Sequence, residues 1–210
     1  MLYAIAIGMI VAGYLFGSIP AGYLLGRAWG VDLLHSGSGR TGGTNVLRAA
    51  GLLPAALTIL SDALKGLLPT YIAVLMFPTL PWVPALTGAA AVTGHNYSIF
   101  LKFRGGAGGV TALGALAGLS FWAALTAAGI AIVAIVISRY ASVATFSGSV
   151  TGLVMLVVFA LLKITPPGYI LYGVIVVGLI AWGLRPNFAR LRAGTERKIG
   201  TPEKNIKTLG

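Results

Sequence analysis

Long apolar stretches separated by short polar segments make up most of this chain. Several stretches approach the roughly 20 apolar residues that an α-helix needs to cross a bilayer, and the lysines and arginines fall mainly between them. The pattern predicts an all-α, polytopic integral membrane protein with seven transmembrane helices. The predicted helices are Leu2–Gly26, Leu53–Phe77, Val83–Leu101, Gly109–Gly118, Phe121–Ile137, Ala144–Leu162 and Tyr169–Gly183.

The boundary between the fourth and fifth helices depends on a short run of small residues. The apolar stretch from Val110 to Ile137 is too long for one upright helix. Gly118, Leu119 and Ser120 offer a break within it. A six-helix arrangement, in which this stretch is a single helix, remains open from hydropathy alone.

The basic residues indicate how the helices are oriented. Lysine and arginine in short loops tend to stay on the cytoplasmic side of a membrane. With seven spans, thirteen of the fifteen basic residues lie on one side, in alternate loops and in the tail from Arg185; the exceptions are Lys163 and the intrahelical Lys65. This arrangement predicts an outside amino terminus and one membrane domain over residues 1–210, ending in a basic cytoplasmic tail over residues 185–210. The charge bias by itself is equally explained by topology without ligand binding.

Composition excludes several classes of protein. The chain is 57% hydrophobic and 9% charged, which is too apolar for a soluble globule of 210 residues. It has no cysteine and two histidines, so we expect no disulfide, metal or cofactor. The net charge of +11 is confined between membrane spans, so we expect contact with membrane lipids and no nucleic-acid partner.

The first basic segment, Ser36–Gly51, is rich in glycine and hydroxyl residues. Glycines allow several backbone N–H groups to face one point, and hydroxyls and arginines add further donors, which suits a phosphate. A helix beginning near Thr44 would add its free amides. A flexible linker is the alternative, although a linker does not need Asn45 or Arg48. The candidate residues are Gly37, Ser38, Gly39, Thr44, Asn45 and Arg48.

The second segment, Gly94–Gly114, places a histidine near the end of a helix and glycines after two cations. These residues again suit an anion. Alternatively, the histidine and glycines serve only helix packing, although an ionisable group at this depth needs a satisfied role. The candidate residues are His95, Arg104, Gly105, Gly106 and Gly108.

The third segment, Arg185–Lys198, begins where the last predicted helix ends. Its arginines are typical of an interfacial anchor for anionic lipid headgroups. An anchor does not account for Asn187 or for Glu196, which is one of four acidic residues in the chain. We therefore include Asn187, Arg190 and Glu196 among the candidate site residues.

Asp62 and Lys65 lie three residues apart inside the second predicted helix. This spacing puts them on one face, where each neutralises the other. We interpret them as a structural intramembrane pair.

Five segments in order resemble the bacterial acyl-phosphate:glycerol-3-phosphate acyltransferases, the PlsY family, over nearly the whole chain. The segments are GSIPAGYLLGR at 17–27, GVDLLHSGSGRTGGTNVLRAAG at 30–51, SDALKG at 61–66, GHNYSIF at 94–100 and NFARLRAGTE at 187–196.

The resemblance implies a seven-helix enzyme in the bacterial inner (plasma) membrane, with its active site at the cytoplasmic face. Its substrates are acyl phosphate and glycerol 3-phosphate, and its product is the phospholipid precursor lysophosphatidate. By resemblance, Ser38, Asn45 and Arg48 hold the phosphates, His95 supports the site and Asn187 closes it from the tail. We expect a monomer.

The sequence departs from the family pattern at two polar positions. The family usually reads FKGGKG where residues 103–108 read FRGGAG, so Ala107 replaces a lysine, and Leu184 stands where the family usually has a histidine. Lys102, Arg104 or Arg185 is expected to compensate. These departures predict a paralogue with weakened or altered activity. The alternative is a noncatalytic membrane protein that binds or transports a phosphorylated small molecule.

Overall fold

The structure is a computed structural model that describes residues 1–201, so Lys204 and Lys207 of the predicted tail lie outside the described residues. Over residues 1–201 the chain is helical, and its extended pairing is limited to one bridge between Ser98 and Arg104. The all-α prediction is confirmed. The α-helices are α1 (Leu2–Ser18), α2 (Ala21–Ala28), α3 (Gly43–Ala50), α4 (Leu52–Met76), α5 (Trp82–Asn96), α6 (Gly109–Leu119), α7 (Phe121–Ser138), α8 (Ala141–Leu161), α9 (Ile170–Gly183) and α10 (Arg185–Arg192).

Several of these helices have the length and hydropathy of membrane spans. Among the described residues, four segments do so: α1 together with α2, α4, α7 and α8. A fifth candidate is Pro167–Gly183, which is followed by α10 at an angle of 55°. With 15 and 11 residues, α5 and α6 are shorter than a standard span. A multi-span helical protein is therefore established, whereas seven spans and the orientation of the termini stay predictions.

The first predicted helix is divided at Pro20. Proline has no N–H to continue the helical bonding, so α1 ends at Ser18 and α2 begins at Ala21. The break leaves two carbonyls available to side chains. Ser98 Oγ donates to Ser18 O at 2.6 Å, and Lys65 Nζ donates to Ile19 O at 3.0 Å.

The predicted break between the fourth and fifth apolar helices is confirmed. Ser120 has extended backbone angles, with α6 ending before it and α7 beginning after it. Two other predictions were wrong in detail. α5 ends at Asn96, and a short 3-10 turn over Ile99–Leu101 replaces its predicted last turn. α10 was not predicted, because its residues are mostly charged and carry no apolar stripe.

Glycines bring α4 and α6 into close contact. A Cβ added at Gly66 would overlap Thr111 O, and one added at Gly114 would overlap Ala63 O. Small residues at such contacts let the backbones of two membrane helices approach closely. This approach fixes α4, with its buried charges, against the helix that follows the second glycine segment.

The main apolar core lies between α5, α6, α8 and α9. Its fully or nearly fully buried side chains include Ala115, Leu116, Leu156, Ile180 and Leu184. In a lipid environment such a core is held by close van der Waals packing. The core places the end of α9 and the start of α10 beside the second glycine segment.

Candidate active site

The three basic segments converge on one polar cavity of about 120 Å³. Of the predicted site residues, six do not line it: Gly37, Gly39, Lys65, Arg104, Gly105 and Gly106. Those that do line it are Ser38, Thr44, Asn45, Arg48, Asp62, His95, Gly108, Asn187, Arg190 and Glu196.

Asn45 shapes the first segment from within. It is 3% exposed, and its Oδ1 accepts a hydrogen bond from Ser38 N at 3.1 Å. Its Nδ2 donates to Ser36 O at 3.1 Å and to Arg40 O at 2.9 Å. The side chain is thus engaged with the loop backbone, and a direct phosphate contact by Asn45 stays a prediction.

The start of α3 forms one wall of the cavity. α3 begins at Gly43, close to the predicted start at Thr44, and both residues line the cavity. The unbonded amides of a helix N-terminus carry partial positive charge and favour an anion. Gly37 and Gly39 adopt positive φ angles of 61° and 69°, which allow the preceding loop to turn toward this wall.

The second glycine segment wraps around the end of α5. Gly106 N donates to His95 O at 3.0 Å. A Cβ at Gly106 would overlap His95 Nε2, and one at Gly105 would overlap His95 O. Gly105 and Gly106 therefore support the histidine from behind, while Gly108 reaches the cavity.

His95 belongs to a buried charged cluster with Asp62 and Lys65. Lys65 Nζ lies 2.7 Å from Asp62 Oδ1 and 3.1 Å from His95 Nδ1, and His95 Nδ1 lies 3.4 Å from Asp62 Oδ1. All three residues are at most 6% exposed. Sequence spacing indicated the Asp62–Lys65 pair but not its third member, because His95 comes from another helix. Within residues 1–201, no group of three His, Cys, Asp or Glu side chains could hold a metal ion.

Glu196 joins the tail to the cavity wall. Its carboxylate accepts hydrogen bonds from Asn187 Nδ2 at 2.6 Å, Arg190 Nε at 2.7 Å and Ser142 Oγ at 3.3 Å. Asn187 Oδ1 is buried and has no hydrogen-bond partner within residues 1–201. A buried carbonyl oxygen of this kind is available to accept a bond from a ligand hydroxyl.

The segment after α10 is held across the cavity by two arginines. Arg48 Nη2 donates to the carbonyls of Arg197 and Lys198, both at 3.3 Å. Arg139 Nη2 donates to Ile199 O at 3.0 Å. Arg48 thus lines the cavity and contacts the tail at once.

The residues expected to compensate for Ala107 and Leu184 do not do so. Both apolar residues line the cavity, but Lys102, Arg104 and Arg185 do not. Lys102 and Arg104 are exposed, and Arg185 stacks on the ring of Trp182 and donates to its carbonyl at 2.9 Å. That expectation was therefore wrong.

Sequence reasoning missed Arg40, Ser142, Thr145 and Arg197, which also line the cavity. Arg40 Nη2 donates to Gly183 O. Burial lowers the pKa of the Arg40 guanidinium, and the positive charge of Arg190 lowers it further. Its position within the first basic segment was the one available signal, because its contact is 143 residues away.

An apolar groove of about 410 Å³ opens from the polar cavity. Gly43, Thr44, Gly109, Val110 and Thr145 line both spaces, which makes them continuous. From there the groove runs between α6, α7, α8 and α9. Its apolar walls include Leu113, Leu116, Ala128, Ala131, Ile135 and Val176.

Comparison with known proteins places this geometry in a family. Residues 7–194 match the family described as Glycerol-3-phosphate acyltransferase. The chain is 41% identical over 195 residues to the glycerol-3-phosphate acyltransferase of Thermus thermophilus, covering 93% of this chain and 96% of that one. It is 42% identical over 190 residues to that of Geotalea daltonii, covering 90% and 94%.

Solved structures give the same answer. The chain is similar to the crystal structure of PlsY, an integral membrane glycerol 3-phosphate acyltransferase, in its glycerol 3-phosphate form, with a TM-score of 0.86 and 35% identity over 93% of this chain and 96% of that one. The lysophosphatidic acid form gives a TM-score of 0.84 at 34% identity, with the same coverage. These likenesses support the acyltransferase interpretation over noncatalytic transport. The chain belongs to the glycerol-3-phosphate acyltransferase family of integral membrane proteins.

Proposed function

We propose that this chain transfers a fatty acyl group from acyl phosphate to glycerol 3-phosphate, yielding lysophosphatidate and inorganic phosphate. The observation that carries the proposal is the junction of a cationic polar cavity with an apolar groove. Both substrates carry a phosphate, and one carries a long alkyl chain. A site for this reaction needs both kinds of surface within bonding distance of each other.

The shared wall of the cavity and the groove suits the acyl phosphate. Gly43 and Thr44 at the start of α3 line both spaces. The helix N-terminus favours the phosphate, with Ser38 and Arg48 nearby on the cavity wall. The alkyl chain then enters the groove, which places the carbonyl carbon at the junction.

The other side of the cavity suits the glycerol moiety. Asn187 Oδ1 is buried and available to accept a hydrogen bond from a glycerol hydroxyl. Glu196 holds the opposite end of the same side chain. Asn187 therefore orients the hydroxyl oxygen toward the acyl carbonyl carbon.

The transfer itself relies on positioning and charge. The hydroxyl oxygen bonds to the acyl carbon, the bond from that carbon to the phosphate oxygen breaks, and the hydroxyl proton passes to the released phosphate. Acyl phosphate is already activated, so orientation and cationic stabilisation of the leaving phosphate supply much of the rate. His95 is held by Asp62 and Lys65, and its place is to support the glycine segment.

We further propose seven spans with an outside amino terminus, a cytoplasmic active site in the bacterial plasma membrane, and a monomer. The basic segments that meet at the cavity support a single cytoplasmic face. Protease applied from the cytoplasmic side should cleave the carboxyl tail. A tail protected from cytoplasmic protease but cut from the other side contradicts this topology.

The activity is tested with purified protein, acyl phosphate and labelled glycerol 3-phosphate. We expect lysophosphatidate and phosphate in equal amounts. Absence of product at every enzyme concentration, from protein shown to be folded, would reject the proposal. Uptake of intact glycerol 3-phosphate into vesicles, without product, would instead favour transport.

The role of Arg48 is tested in the same assay. Arg48→Ala should remove most turnover, because it deletes a cation from the cavity wall together with two contacts to the tail. Arg192→Ala is the matched control, since Arg192 is exposed at the end of α10. Equal rates for the two variants would exclude Arg48 from the site.

A further inference from the structure

Arg40 lies at the end of the cavity that is farther from the groove. It lines the cavity but not the groove, as do Leu184 and Asn187. Arg40 Nη2 donates to Gly183 O, directly before Leu184. The guanidinium is thus fixed beside the junction of α9 and α10, on the side of the cavity that carries Asn187.

The charge of Arg40 is not neutralised by a direct carboxylate contact. Among the described residues, Arg190 forms an ion pair with Glu196, and no carboxylate forms one with Arg40. Burial and the neighbouring Arg190 charge both lower the pKa of Arg40. Two cations held close together with one carboxylate make a place where an added anion is favoured.

The geometry leaves donors available for that anion. A guanidinium has five N–H donors in a planar fork, and one of its nitrogens suffices for the bond to Gly183. The remaining donors can bind two phosphate oxygens side by side. The cavity wall is apolar at Ala107 and Leu184, so those positions offer no competing cation.

We propose that Arg40 binds the phosphate group of glycerol 3-phosphate and sets the affinity of the site for this acceptor. This inference rests on the proposed acyl transfer. It places the two substrate phosphates at separate cations. The donor phosphate lies at α3 beside the groove, and the acceptor phosphate lies at Arg40 beside Asn187.

Steady-state kinetics of Arg40→Gln test the proposal. Losing a charge-assisted contact should raise KM for glycerol 3-phosphate by about 10- to 100-fold. KM for acyl phosphate should change by less than about threefold on the same scale. Arg192→Gln removes the same charge from an exposed position on α10 and should leave both KM values unchanged.

A second variant separates charge from structure. Ala107 faces the same cavity, so Ala107→Lys in the Arg40→Gln background should recover much of the lost affinity if the site needs a cation. Wild-type KM values for Arg40→Gln overturn the proposal. So does a rise confined to acyl phosphate, or a loss of thermal stability that Ala107→Lys does not relieve.

Binding distinguishes failure of this inference from failure of the proposed function. If the wild-type protein forms no product, its thermal stabilisation by glycerol 3-phosphate is measured instead. Stabilisation that disappears in Arg40→Gln and persists in Arg192→Gln supports Arg40 as the phosphate ligand even though the activity proposal has failed. Stabilisation that is equal in all three proteins, or absent from all three, overturns it.

Discussion

Two acid–base pairs in this chain have the same spacing and length but different surroundings. Asp32 and His35 lie 2.7 Å apart in an exposed loop, with side chains 26% and 57% exposed. Asp62 and Lys65 also lie 2.7 Å apart, with side chains 3% and 5% exposed. Comparing the loss of one carboxylate at each site therefore isolates the effect of burial.

Asp62→Asn should destabilise the protein by about 3–5 kcal/mol, the usual effect of removing one partner from a buried ion pair. The Lys65 ammonium would keep only neutral acceptors, Ile19 O and His95 Nδ1. Adding Lys65→Met removes the stranded charge and should restore most of the stability. A double-mutant cycle should then give a coupling energy of at least about 2 kcal/mol.

Asp32→Asn is the matched control and should cost at most about 1 kcal/mol, as exposed pairs do. The hydrogen bond from His35 lowers the pKa of Asp32. The small contribution of this carboxylate is therefore present above its unfolded-state pKa and is lost as pH falls through the lowered value. The measurement is equilibrium unfolding in mixed micelles at neutral pH. Equal losses for Asp62→Asn and Asp32→Asn would refute the argument from burial.

Three further predictions concern the site and its groove. Glu196→Gln should lower turnover at least about tenfold, because the new amide turns a donor toward groups that already donate to it; turnover equal to wild type in folded protein contradicts this. Ala131→Phe narrows the groove and should shift the preference toward shorter acyl phosphates, measured as kcat/KM across chain lengths; an unchanged profile would place the acyl chain elsewhere. Gly106→Ala should reduce both activity and melting temperature because its Cβ overlaps His95, whereas Gly178→Ala, whose Cβ meets open space, should change neither; matching results for the two would remove the glycine segment from the support of His95.

Local patterns predicted the local elements of this fold. The break at Ser120 followed from an apolar run too long for one span, and α6 and α7 do end and begin there. The break at Pro20 was equally visible as a proline but was missed, because apolar residues continue on both sides of it. α10 was missed for the opposite reason, since Pro186 can start a helix at its first positions without any apolar periodicity.

Long-range partners were beyond the reach of the same patterns. The three segments were identified from glycine, hydroxyl and arginine content, and they do meet at one cavity. Which arginine faces that cavity depends on packing between distant helices. Arg40 reaches Gly183, while Arg104, with similar sequence surroundings, is exposed. Glu196 likewise meets Ser142 only because the tail folds back onto α8.

The break at Pro20 has a consequence for how the protein is assembled in the membrane. The Lys65 ammonium contacts groups from three helices: Ile19 O beside the break after α1, Asp62 on α4 and His95 on α5. A charged helix that entered lipid without these neighbours would carry a large energetic penalty. We therefore expect α1, α4 and α5 to associate early during biogenesis, so that the α6–α9 groove forms against a scaffold that is already in place.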